Sequence, residues 1–182
     1  MMKPVYLIMA MLITSAPGLL DERIRLDESL IVPGSGAENI ILGDTISEVR
    51  ARKGTPEKTA QFNNDHELFR DIFGISSPAE VHYRKIFHYS IMGFMVFFSN
   101  DRVTAVAGLN TFRVTSDSAS LQNGVDSFIF NYGNRDLTVL KKGSHALYLY
   151  RKQGIAVIDD GNNDTIDMYL VFPSAGTAQR GN

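Results

Sequence analysis

"YRKQGIAVIDDGNNDTIDMYLVF", residues 150–172, sets four aspartates and two asparagines between two apolar runs. Three readings compete for the polar middle: a calcium loop, a catalytic carboxylate pair, or the turn of a β-hairpin. The choice is sharpened by an earlier stretch, "YSIMGFMVFFSNDRVTAVAGL", residues 89–109. Tyr89 and Tyr150 each stand four residues before a glycine, Gly93 and Gly154. Phe94 then matches Ile155, Val96 matches Val157, and Phe97 matches Ile158. With a longer turn in the second copy, Asp101 matches Asp164 and Val103 matches Ile166, while Ala105 and Ala107 match Met168 and Leu170. Recurrence of a whole pattern is the signature of a repeated structural unit. The aspartates then read as an elaborated hairpin turn.

Upstream of the first copy lies "IILGDTISEVRARKGTP", residues 40–56. Thr45 followed by Glu48 is a capping box, which satisfies free N–H groups at a helix start. Gly54 and Pro56 supply the stop, so a short helix is expected over 46–53. A second helix is expected over 65–74, where Leu68, Phe69, Ile72 and Phe73 share a face. Strands follow after Pro78 in "EVHYRKIFHYS", "GFMVFFS" and "RVTAVAG". Beyond the polar stretch "TSDSASLQNG" the helix start recurs in "VDSFIFNYG", with Ser127 as its cap and Gly133 as its stop, about one turn shorter. The expected class is α+β: two similar units, each of helices and an antiparallel sheet, the second with a shortened helical part.

The expected organisation is a signal peptide over 1–18, an N-terminal segment and joint over 19–37, and a first unit over 38–112. A linker over 113–123 leads to a second, shorter unit over 124–173, and 174–182 forms a disordered tail. The leader reading rests on one lysine, an apolar run from Val5 to Ile13 and small residues before Gly18. The run is shorter than the roughly 20 residues of a membrane-crossing helix. Export to a periplasm or the exterior is therefore expected, with no stable membrane insertion after cleavage; an uncleaved anchor is the alternative. A formal net charge of −2 provides no basic surplus for nucleic acid. The chain has no cysteine, so neither a disulfide framework nor a thiol for lipid attachment exists.

At Gly43, Asp44, Thr45, Val49, Gly54 and Pro56, together with the matched strands, the chain resembles the beta-lactamase inhibitor protein and SmpA/OmlA-type small envelope proteins. The resemblance covers residues 38–173 and implies two tandem units and protein binding by a sheet face. It departs from both groups, because the inhibitors carry disulfides and the lipoproteins a lipid-bearing cysteine.

A search for chemistry returns little. An EF-hand started at Asp160 meets Thr165 where glycine is required and Val171 where the bidentate glutamate is required. A looser calcium site on Asp159, Asp160 and Asp164 is the remaining metal reading. No phosphate loop, dinucleotide turn or G-x-S-x-G occurs, and the four histidines are scattered (His66, His82, His88, His145). No enzyme, cofactor or metal is expected. Strand alternation instead sends Phe87, Tyr89, Tyr148, Tyr150 and Tyr169 to one side, opposite Leu147 and Leu149. Those aromatics form either an exposed recognition stripe or bland packing under the segment around "ERIRLDESLIV". The expected function is an exported, non-enzymatic module that binds another envelope or extracellular protein through its sheet. The alternatives are a calcium-dependent envelope hydrolase on the 159–167 loop and a small-ligand carrier.

Overall fold

A computed structural model of the chain describes residues 30–62, 81–109, 113–162 and 164–175. The leader, the helix expected over 65–74 and most of the C-terminal tail lie outside the described residues. The capping box forms as the sequence specifies. Thr45 Oγ1 accepts from the Glu48 N–H at 3.2 Å, and Glu48 accepts from the Thr45 N–H at 2.7 Å. The helix α1 that they open runs Ile46–Lys53. The second helix, α2, spans Gly124–Tyr132 behind a single 3-10 turn, Leu121–Asn123. Ser127 thus sits inside α2, with Asn123 in the cap position, and α2 has nine residues against eight in α1. The expected cap at Ser127 and the missing helical turn are both corrected. Ser120 caps the preceding 3-10 turn and moves the start of helical backbone upstream.

Three two-residue strands lead into α1: β1 (Leu30–Ile31), β2 (Gly36–Ala37) and β3 (Ile40–Ile41). Then come β4 (Lys58–Gln61), β5 (Lys85–Tyr89), β6 (Phe94–Ser99) and β7 (Arg102–Leu109). The short β8 (Val114–Thr115) pairs in parallel with β1. After α2 follow β9 (Leu137–Lys142), β10 (His145–Tyr150), β11 (Ile155–Asp159) and β12 (Met168–Val171). Eight strands make one antiparallel sheet in the order β4-β5-β6-β7-β12-β11-β10-β9. The class is mixed α and β, mostly antiparallel sheet with two helices among the described residues.

Each half of the sheet sets its strands side by side in chain order, and the halves meet at β7 and β12. Leu170, the match of Ala107, lies directly opposite it in that pairing. Tyr89 and Tyr150 both end a strand and enter a four-residue turn closed by glycine, with φ of 75° at Gly93 and 73° at Gly154. Each tyrosine hydroxyl then reaches the carbonyl of the glycine that ends a helix: Tyr89 to Gly54 at 3.1 Å, Tyr150 to Gly133 at 3.0 Å.

Both faces of the sheet are buried. On the helix side, Phe87, Tyr89, Val96, Val106, Tyr150, Val157 and Tyr169 pack with Ile31, Ile40, Val49, Leu121 and Phe128. On the other side, Ile86, Phe97, Leu147, Leu149, Ile158 and Leu170 pack with Val81 and Tyr83. One extra residue in β7, Thr104, lies between the partners of Phe97 and Phe98. This bulge lets Val103 and Val106 share the helix side although their spacing is odd.

Candidate functional site

The expected aromatic stripe is in the core. Phe87, Tyr89, Tyr150 and Tyr169 are all buried, and Tyr148 is half-buried. The alternation of side chains was read correctly, since the five share one face, but that face is the one the helices cover. Tyr150 meets Phe128 at 5.7 Å and Tyr132 at 5.3 Å between ring centres, both on α2. Phe87 lies under the Arg50 guanidinium at 5.1 Å and Phe94 under the Lys53 ammonium at 5.6 Å, both from α1. These rings hold helices to sheet, and burial pushes the Tyr89, Tyr148 and Tyr150 hydroxyls above their usual pKa.

Tyr169 anchors a buried polar cluster. Its ring lies across Gly108 on β7, where a Cβ would overlap the hydroxyl. The hydroxyl donates to Glu38 at 2.6 Å, and Arg113 donates to the other Glu38 oxygen at 2.7 Å. Glu38 sits at the tip of the β2–β3 hairpin with a φ of 55°. The cluster clamps that hairpin to the middle of the sheet.

The acidic turn is built from its own carboxylates. Asp159 accepts from the Gly161 N–H, Asp160 from the Asn162 N–H, and Asp167 from the Asp160 N–H, at 2.7 to 2.8 Å. The hydrogen bond from the Asn162 backbone is the main cause that holds the Asp160 pKa below its ordinary value. One oxygen from each of Asp159, Asp160 and Asp167 falls within 4.8 Å of the others. Asp164 is elsewhere. With Asp126, Tyr148 and Asp159 it lines a cavity of about 400 Å³ beside the start of α2. The turn is pinned there by the Ile166 N–H to Leu121 O bond at 3.1 Å, and by a close approach of the Asp164 carbonyl to Gly124.

Exposed apolar side chains gather at one end of β5, β6 and β7. In the β5–β6 turn, Ile91 is 88% exposed and Met92 is 41% exposed; Leu109, at the end of β7, is 49% exposed. The Leu109 N–H donates to Gly93 O at 2.9 Å, which ties turn to strand end. Beside them runs a groove of about 220 Å³ whose lining includes His88, Met95, Leu109 and Met168. Burial, with Lys58 adding to it, lowers the His88 pKa below its ordinary value, which favours the neutral ring there. A signal was available: Ile91 and Met92 are large apolar residues in a turn, where polar ones are usual.

Among the described residues no helix is long and apolar enough to cross a membrane. No family model and no curated protein matches the chain. One similar solved structure is an extracellular protein containing a SCP domain from Bacillus anthracis str. Ames, with 7% sequence identity and a TM-score of 0.42. The match covers 72% of this chain and 44% of that one. That degree of likeness carries no argument about fold or activity.

Proposed function

We propose that the chain is an exported, non-enzymatic protein-binding module whose contact surface is the apolar groove between the β5–β6 turn and the ends of β7 and β12. The observation that carries this reading is the cluster of exposed Ile91, Met92 and Leu109 beside that groove. Contiguous exposed apolar side chains mark recognition surfaces more often than isolated ones do. The partner class is an envelope or extracellular protein that offers an apolar side chain to the groove. Export rests on the leader-like N-terminus of the sequence.

The same proposal takes the architecture as two similar units, in the manner of the beta-lactamase inhibitor and SmpA/OmlA proteins. Its support is the mirrored strand order, the equivalent Tyr89–Gly54 and Tyr150–Gly133 hydrogen bonds, and the pairing of Ala107 with its own match Leu170. Two copies related by a two-fold axis between those residues would produce all three.

The test is affinity capture from the protein's own envelope extract with the wild-type chain, Ile91→Glu, Leu109→Ser and a distant surface control, Phe130→Ser. Phe130 is 88% exposed on α2. A protein retained by wild type and control, and lost by both groove variants, supports the reading. Identical capture by all four removes it.

A second reading, a carrier of a small cation, is favoured by the cavity that Tyr148, Asp126, Asp159 and Asp164 line. A melting temperature indifferent to calcium, chelator and small organic amines would eliminate both this reading and the calcium-dependent enzyme.

A further inference from the structure

We infer that the chain self-associates through β9, two copies joining edge to edge into a continuous sheet. β9 ends the eight-stranded sheet, and five of its six residues are exposed, with Val139 and Leu140 among the exposed large apolar side chains. Its pairing with β10 fixes which backbone groups are free. Lys142 and His145 flank a two-residue turn, which makes them a hydrogen-bonded pair, and the pattern then alternates. Lys142, Leu140 and Thr138 therefore bond to β10. Val139 and Lys141 turn their N–H and C=O groups outward, and Leu137 turns its C=O outward while its N–H donates to the Asn134 carbonyl at 3.4 Å.

A strand edge of this kind is a template for another strand. Charge selects the orientation of the added strand. Parallel pairing of two β9 edges in register would stack Lys141 and Lys142 on their own copies. Antiparallel pairing centred on Val139 sets Leu137 opposite Lys141 of the second copy and uses the free groups of all three residues, for about four hydrogen bonds. That register also brings Lys142 opposite Asp136 of the second copy, once on each side of the axis. Hydrogen bonding and charge complementarity thus select one alignment. Asp136 already holds Lys152 at 2.6 Å through one carboxylate oxygen, on a surface where a second cation can approach. The opposite edge, β4, has four residues against six and is the poorer template.

Sedimentation velocity of the full chain over a concentration series is the test, with Val139→Pro, Lys142→Asp and the swap Asp136→Lys/Lys142→Asp. Proline at Val139 removes an outward N–H and leaves the β10 ladder intact, so far-UV circular dichroism should match wild type. A reversible dimer is expected, weakened about tenfold or more by Val139→Pro and by Lys142→Asp. The swap should recover wild-type affinity to within about twofold, which a merely structural role of either residue would not produce. A monomer throughout the series, a dimer that Val139→Pro leaves unchanged, or a swap that fails to recover affinity would each overturn the inference. If the proline variant does not fold, the two charge variants decide it alone.

Discussion

Tyr169 and Glu38, 131 residues apart in sequence, share a buried hydrogen bond of 2.6 Å that joins the hairpin before α1 to the central strand β12. Glu38 pays for its left-handed backbone and its burial with this bond and with the Arg113 pair. Tyr169→Phe keeps the ring over Gly108 but leaves Glu38 with one partner fewer. It should lower stability by about 1 to 3 kcal/mol in urea denaturation. An unchanged midpoint would show that the clamp is idle.

The equivalent bonds of Tyr89 and Tyr150 predict equivalent losses. Tyr89→Phe and Tyr150→Phe should each cost about 1 kcal/mol, and the double variant should add to within about 0.5 kcal/mol. Strong non-additivity in chemical denaturation would mean that the two helix ends are coupled through the sheet.

Gly93 and Gly154 hold the same turn position and the same positive φ, yet their surroundings differ. A Cβ at Gly93 would meet only the Leu109 side chain at 3.8 Å, whereas one at Gly154 would overlap the Phe172 carbonyl and the Gly34 backbone. Gly93→Ala should cost about 1 to 2 kcal/mol from backbone conformation alone. Gly154→Ala should cost clearly more, and thermal unfolding of the two variants measures the gap.

Burial raises the pKa values of Tyr132 and Tyr169, and also those of Tyr89, Tyr148 and Tyr150. In the unfolded chain these phenols ionise near the ordinary value of 10.0. Their contribution is therefore complete below about pH 10 and is lost as pH rises above it, because the unfolded state then holds fewer protons. Urea midpoints should be flat with respect to these groups between neutrality and pH 9, then fall steeply. Tyrosinate absorbance should appear together with unfolding; its appearance in the still-folded chain would contradict the burial.

The first helix was legible because its signals are local: Thr45, Glu48 and Gly54 specify both ends whatever surrounds them. The matched hairpins were legible through the spacing from Tyr89 to Gly93 and from Tyr150 to Gly154. Strands β4 and β9 were missed. Lys58–Gln61 and Leu137–Lys142 lie at sheet edges, where neither face is deeply buried and no alternation of apolar and polar residues is enforced. The aromatic stripe failed as a surface for the opposite reason. Alternation puts Leu147 and Leu149 on a core side, but a sheet apolar on both faces has two, and alternation cannot say which one the helices choose. The groove beside Ile91 depends on Met95, Leu109 and Met168, brought together from three strands, and no single segment announces it.

The junction of β7 with β12 also sets an order of events during synthesis. β12 is the last described strand in chain order and one of the two central strands of the finished sheet. Until residues 168–171 leave the ribosome, β7 and β11 each lack a neighbour, and each is apolar on both faces. A nascent chain thus carries two open, adhesive strand edges, which is the state that holding chaperones shield. Closure waits for the four residues of β12.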